Sequence, residues 1–409
     1  MHFAFSDQQT EFRDAVRQVL AKECTTDDLR AAFEQPAART PRWEVLVGLG
    51  VVGLSVPEAE GGLGLGLVDL VLLLEEAGRV SLPEPLLETT GLAAPLLADL
   101  DRSAGSGAAA GAAGWLAAIA EGRATAAVGS GSSGGSVGSV GSVGAVGAVG
   151  AVDSAGAVGS VGATPKAIAG AGGAELLVLF TSDDSGGPEL HVVDAEVVTV
   201  RSVPSLDPTR RLGIPHWSPT AETRVRSGPE AASAWSLTQD RAAVATAAEL
   251  LGLADRMITM AAGYAKERQQ FGRPIGSFQA VKHLLAGAQV RLEFARPVVY
   301  GAAWSLDQAA ASDRSAASDR SAASDRAAAS DRTAASRAAS TAKAYASDAA
   351  TEAARVALQV HGAIGYTWEC DLHLFLKRAW ALAEAWGSSA DHRALVLESL
   401  VQDPVTTRS

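Results

Sequence analysis

Arg268, Gln270, Phe271 and Gly272 fall within five residues of one another, and Gly276, Ser277, Phe278 and Gln279 follow across Pro274, in the stretch YAKERQQFGRPIGSFQAVKH at 264–283. An arginine can grip a phosphate through two parallel hydrogen bonds, and a neighbouring aromatic ring can lie against a flat heterocycle. Ser277 can cap the second of two helices at an end that favours anions. This is the chemistry of a nucleotide-like cofactor held at a corner between helices. The same residues also suit a plain helical hairpin with Phe271 and Ile275 in the core and Arg268 solvated, and the stretch alone does not choose between the two. Asp240 and Glu249 before it, and Glu384 and Asp391 near the C-terminus, are carboxylates available to proton chemistry, although such helix charges are more often simply solvated.

Other chemistries find little footing. The glycines at 61–66 (GGLGLG) are followed by no Walker lysine, and no GxGxxG follows a strand, so a phosphate-cradling loop is not indicated there. Cys24 and Cys370 are far apart and form no CxxC pair, which argues against a disulfide framework and a thiolate metal site and fits a reducing compartment. Basic residues number 34 against 46 acidic, a net charge of −12, and this balance disfavours nucleic acid as a partner. The opening residues MHFAFSDQQTEF carry no basic segment followed by an apolar run, and no apolar stretch approaches the roughly 20 residues needed to span a bilayer. A cytoplasmic protein is expected, with no metal site and no membrane span.

The elements that must position these residues follow from pattern. With 409 residues, two or three domains are expected. Ser6 and Gln9 make a capping box ahead of Phe12, Val16, Val19 and Leu20 on one helical face. Further helices are expected around 43–49, 67–77, 92–100 and 108–120, the second of these buried because it is apolar on most sides. From Val128 a Ser/Ala-Val-Gly beat takes over, with too little proline for a collagen-like helix and too little register for a defined strand. Short apolar runs at 175–180, 190–193 and 197–203 read as antiparallel strands separated by turns. Helix then dominates from Pro229, with long segments at 237–266, 284–304, 344–361 and 368–385. The hexapeptide SDRSAA and close variants recur at Ser312, Ser318, Ser324 and Ser330. Six residues turn an α-helix by about 600°, so its charges define no face, and a solvated, frayed insertion is expected. The fold class is therefore α+β: an N-terminal helical domain (1–125), a small middle β domain (126–228) with a repeat tract at 129–162, and a C-terminal helical bundle (229–409) with the second repeat at about 308–338.

This order, with the 264–283 stretch early in the last part and QVHGAIGYTWECDLHLFLKRA (359–379) late in it, resembles the acyl-CoA dehydrogenase family. WEVLVGLGVVGLSVPEAEGGLG (43–64) and LLLEEAGR (72–79) agree in place and order. The resemblance implies FAD shared at a subunit interface, with Arg268, Gln270, Phe271 and Gln279 on the flavin together with Gln359, Gly362 and Gly365, and Ser388 beside them. Ala363 stands where the family usually has glycine.

It also implies a carboxylate base for α,β-dehydrogenation of an acyl-CoA thioester, and both family positions for that base lack one: Trp386 and Ala242 stand there. No tryptophan lies between Trp115 and Trp217 to pack on a flavin ring. By resemblance to actinobacterial members that work as unlike pairs on bulky substrates such as steroid side chains, the chain is expected to be the non-catalytic partner of a base-carrying subunit. An electron-transfer flavoprotein or similar acceptor is expected downstream. The alternatives are a self-sufficient homo-oligomeric dehydrogenase with a displaced base, Asp240 or Glu249 being the first candidates, and a flavin-free binding or scaffold protein on the same fold.

Overall fold

The computed structural model describes residues 4–37, 39–103, 111–131, 166–183, 185–319 and 321–402, so the repeat tract beyond Gly131 lies outside the described residues. In chain order, helices α1 (Asp7–Glu23), α2 (Thr26–Glu34), α3 (Pro41–Gly48) and α4 (Leu67–Arg79) are followed by a π turn (Leu87–Ala93) that runs into α5 (Ala94–Ser103), and then by α6 (Ala112–Ala120). Strands β1 (Ala126–Ser130), β2 (Leu176–Ser182), β3 (Pro188–Asp194), β4 (Thr199–Ser202), β5 (Gly213–His216) and β6 (Arg224–Ser227) come next. The last part contains α7 (Gly228–Glu267), the two-residue strands β7 (Gln269–Gln270) and β8 (Arg273–Pro274), α8 (Gln279–Asp319), α9 (Ala322–His361), α10 (Leu372–Glu384) and α11 (Ser389–Gln402). The expected fold class is observed: N-terminal helices, a middle β region and a C-terminal helical bundle.

Two compact units emerge. One comprises Ala31–Gly66 and Pro83–Ala242, and holds the sheet. Its strand order is β1-β2-β3-β6, with β2 and β3 antiparallel as expected and β6, at a place where no strand was expected, antiparallel to β3. The pairing of β1 with β2 is parallel, and β1 lies outside the runs expected as antiparallel strands. A parallel neighbour requires a long connection, and the tract between Ser130 and Leu176 supplies one where a hairpin could not. Strand β2 is buried on both faces, with Leu177 and Leu179 packing on Ala127, Ile168, Val193 and Trp217. The 197–203 run does not join this sheet, because β4 pairs only with β5. Near the helices, buried Arg42 meets the fully buried Glu84 at 2.9 Å, and Thr40 donates to the same carboxylate at 2.6 Å. The pair is compensated by hydrogen bonds, as a buried charge must be.

The other unit comprises Met1–Arg30, Leu67–Leu82 and Ala243–Ser409. Helix α1 opens with the expected capping box, Ser6 Oγ accepting from the Gln9 backbone and Gln9 Oε1 from Ser6 N at 2.8 Å. Helix α4 is nearly all buried, as its apolar sequence requires. It crosses α7 in backbone contact: a Cβ at Gly78 would lie 2.0 Å from the Glu249 carbonyl oxygen, and one at Gly252 only 1.8 Å from that of Glu75. Around this crossing Arg17 pairs with Glu76 at 2.6 Å, and Arg296 with Glu75 and Asp255 at 3.0 Å each, which ties α1, α4, α7 and α8 together.

The SDRSAA repeat departs from expectation. Helix runs to Asp319 and restarts at Ala322, with Ser321 as the N-cap accepting from Ser324 N at 3.2 Å. Ala309 and Ala316 on α8, and Ala328, Ala335 and Ala342 on α9, are buried at spacings of seven. A seven-residue spacing keeps one seam along a helix. The six-residue beat is so rich in alanine that this seam always lands on one, while the Asp and Arg residues stay mostly outside.

Candidate functional site

The corner at 264–283 is built by the end of α7, a hairpin of minimal length and the start of α8. Arg268 N donates to Tyr264 O at 2.8 Å and closes the helix, while Ile275 N donates to Arg268 O at 2.8 Å. Between them Gln269 pairs with Pro274 and Gln270 with Arg273, leaving Phe271 (φ 54°) and Gly272 (φ 77°) as the two turn residues. Positive φ at both central positions defines the primed turn that fits a tight hairpin. A left-handed phenylalanine is uncommon and costs of the order of 1 kcal/mol. The outcome is a ring 91% exposed, which overturns the reading of Phe271 as core. Arg268 is also exposed, and its guanidinium has no hydrogen-bonding or ionic partner among the described residues. Arg273 stacks over Phe278 at 4.2 Å, and Phe271 meets Phe278 edge-on at 6.1 Å.

Ser277 corrects another expectation. Its hydroxyl donates to Pro274 O at 2.7 Å inside a short 3-10 turn, and α8 starts two residues later behind Phe278. The serine closes the turn and does not cap the helix. Gln279 is exposed at the first position of α8, its amide 3.4 Å from His283 Nε2.

The second motif comes to the same place. His361, the last residue of α9, stacks on Tyr264 with ring centroids 4.6 Å apart and planes 21° from parallel. Its ring is fixed by a bond between Nδ1 and Ala357 O at 2.8 Å. The chain then leaves α9 through Gly362 at φ 63°, ψ −141°, a conformation essentially reserved to glycine. Gln359, Gly362 and Ala363 are exposed, and a Cβ at Gly362 would meet nothing within 4 Å. Gly365 is buried, 3.0 Å from Leu358 by the same measure. An exposed guanidinium, an exposed ring and an open glycine backbone, set on ends of α7 and α9 joined by a ring stack, suit a dinucleotide carrying phosphates and a flat ring. Sequence reasoning missed the Tyr264–His361 stack; both residues sit inside the quoted motifs, and only their pairing was hidden.

The positions where a base would stand are different. Ala242 is fully buried. Asp240 is half-buried two residues earlier on α7. Glu249 is buried, its carboxylate 3.7 Å from the Arg378 guanidinium, so this carboxylate has a structural partner. Trp386 is half-buried at φ 60° in the turn after α10, and Gly387 follows at φ 103°. Ser388 caps α11: its Oγ accepts from Asp391 N at 3.2 Å and donates to Asp391 Oδ2 at 2.7 Å. Under the turn lies Lys343, unexposed, bonded to Ser347 Oγ, Ala383 O and Gly387 O. His392 bonds Trp386 O at 2.9 Å. Neither residue was singled out from the sequence, although a lysine amid the small residues of an apolar helix face is a signal.

In the sheet-bearing unit an open cleft of about 690 Å³ is lined by Ala171, Val198, Val200, Val203, Leu212 and Arg211, and it contains none of the candidate residues. Among the described residues no group of His, Cys, Asp and Glu could hold a metal, Cys24 and Cys370 form no disulfide, and no helix is long and apolar enough to cross a membrane.

Comparison with known proteins gives the same picture. The acyl-CoA dehydrogenase N-terminal domain matches residues 6–123, and the acyl-CoA dehydrogenase C-terminal domain matches residues 231–401. Acyl-CoA dehydrogenase IpdE2 of Mycobacterium tuberculosis is 29% identical over 92% of this chain and 92% of its own length. Acyl-CoA dehydrogenase FadE34 of the same organism is 33% identical over 94% of this chain, which spans about half (47%) of that longer protein. Among solved structures, the Tcur3481-Tcur3483 steroid acyl-CoA dehydrogenase is similar with a TM-score of 0.69 at 25% identity, over 97% of this chain and 98% of that one. The ChsE4-ChsE5 complex from Mycobacterium tuberculosis shares the fold, with a TM-score of 0.73 at 22% identity over 99% of this chain and 100% of that one.

Proposed function

This chain belongs to the acyl-CoA dehydrogenase family, whose members normally bind FAD, and on that premise we propose that it is the interface partner in α,β-dehydrogenation of an acyl-CoA thioester. It lends Arg268, Gln270 and Phe271 to FAD seated on a second, base-carrying subunit. One observation supports the reading: Arg268, Gln270 and Phe271 at the 264–283 corner face outward, whereas Trp386 and Ala242 carry no carboxylate.

The reaction removes an α-proton to a carboxylate and a β-hydride to an acceptor, and the flavin, when bound, supplies that acceptor. Arg268 provides an exposed, unpartnered cation for a phosphate. Phe271 offers a ring set by its turn, and Gln279, Gln359 and Gly362 offer exposed polar and backbone groups. Ser388 is committed to capping α11 and is assigned no cofactor contact in this reading. The self-sufficient alternative is weakened at Glu249 by its pairing with Arg378.

Similarity to a steroid acyl-CoA dehydrogenase supports a bulky acyl thioester as substrate; an electron-transfer flavoprotein or similar acceptor as the electron outlet and the cytoplasm as the setting belong to the same proposal. The test is purification with and without the chain encoded beside it. The chain alone is expected colourless and inactive, and the pair yellow and active. Arg268→Ala should reduce flavin retention by the pair about tenfold or more. A yellow, active enzyme from this chain alone overturns the proposal, and absence of flavin from every complex favours a scaffold.

A further inference from the structure

Three of the five carbonyls between Ala383 and Gly387 are gripped by buried side-chain donors. The Lys343 ammonium has no exposed surface, and its three N–H groups reach Ser347 Oγ at 3.0 Å, Ala383 O at 2.8 Å and Gly387 O at 3.0 Å. An ammonium has three donors and no acceptor, so this is its full complement. His392 donates from Nε2 to Trp386 O at 2.9 Å, and its buried Nδ1 has no partner among the described residues. Helix α10 ends at Glu384, and its last carbonyls lack partners within the helix. A cation at that end is electrostatically favoured. The grip therefore does more than end a helix, because its two backbone contacts from Lys343 bracket residue 386. That residue is a tryptophan in the left-handed region, which tryptophan does not choose unaided.

We propose that Lys343 is a positioning residue for the 385–388 turn, with His392 as a second hold, and that the pair sets the left-handed backbone from which the side chain at 386 is presented. The proposal rests on the reading that this turn stands at the family's base position. Lys343 touches neither substrate nor cofactor; it acts through residue 386. Ala342, Ala344 and Ala346, its near neighbours along α9, are buried as well.

The test is amide hydrogen exchange at Ala385 and Ser388, whose N–H groups bond Ala381 O and Asp391 Oδ2. In Lys343→Met both amides are expected to exchange at least tenfold faster, with the amides of α7 unchanged. Adding Trp386→Gly supplies a residue that takes positive φ without help, and should restore at least half of the lost protection on a logarithmic scale. A merely space-filling lysine would not be rescued in this way. Where Lys343→Met gives no folded protein, Lys343→Gln, which keeps two N–H donors, is read in the same way with about a threefold rise expected. Unchanged exchange, a uniform rise across α9, α10 and α11, or no rescue by glycine overturns the proposal. The amides are read in the chain alone, without flavin or partner, so failure here leaves the proposed function standing, and failure of that function leaves this result standing.

Discussion

His392 is held neutral by its surroundings. Burial first, and then the Lys343 ammonium, push its imidazole down to about 4, against weaker opposing help from Trp386 O and Asp391. The unfolded chain then binds more protons than the folded one between about pH 6.5 and 4, so stability is fully present above that window and falls as pH falls through it. The difference amounts to about 3 kcal/mol as an upper figure. Burial moves His191 and His373 in the same direction. We expect His392→Gln to flatten the pH dependence of urea unfolding between pH 4 and 6.5, and an unchanged slope would show that His392 is not the group responsible. Phe271 gives the opposite kind of prediction, because its ring is almost wholly in water. Phe271→Ala should alter stability by less than about 0.5 kcal/mol. In the paired complex it should loosen flavin several-fold, since an aromatic contact contributes about 1 kcal/mol. Thermal melting and flavin release read the two effects separately, and a large melting shift would return Phe271 to the core.

At the scale of elements, the crossing of α4 with α7 is the most demanding contact. Gly252→Ala and Gly78→Ala would each drive a methyl group into a backbone carbonyl at 2 Å or less, and overpacking of this kind costs about 1–3 kcal/mol or more. Gly263, also on α7, has nothing within 4 Å of its missing Cβ, so Gly263→Ala should stabilise by about 0.5–1 kcal/mol. Denaturant unfolding of the three variants checks both signs at once; equal effects would mean that backbone propensity and not the crossing decides. The pattern of α4 announced a buried helix, but its cap was invisible: Asp307 from α8 accepts from Leu67 N at 3.1 Å and Val68 N at 2.9 Å. A carboxylate brought from so far along the chain leaves no local signature. The SDRSAA repeat failed for a related reason. A hexapeptide period describes one helix by itself, whereas the seam of Ala309, Ala316, Ala328 and Ala335 exists only because two helices share it.

For the molecule as a whole, the exposed apolar side chains of α8 bear on assembly. Val290, Phe294 and Trp304 are 53%, 69% and 42% exposed and recur along one stripe. Large exposed apolar patches mark surfaces that meet a partner. The double variant Val290→Lys/Phe294→Glu should leave the melting temperature within a few degrees and weaken association with the second subunit at least tenfold, as read by sedimentation. Undiminished association would move the interface elsewhere. The net charge of −12 sets a further expectation, that the chain shows no salt-sensitive binding to duplex DNA.

The sequence by itself determined the order of helices, strands and helices, the buried character of α4, the capping box of α1 and the two motifs, because periodicity, caps and turn residues act locally. It also determined that position 386 holds an indole and position 242 a methyl group, so no carboxylate stands at either place. Only the tertiary structure decided that Phe271 faces water, that Ser277 closes a turn, that Tyr264 stacks on His361, and that Lys343 and His392 meet around Trp386. The stack of Tyr264 on His361 and the reach of Lys343 to the turn depend on groups far apart in the chain, whose encounter is fixed by packing and by the need of buried polar atoms for partners.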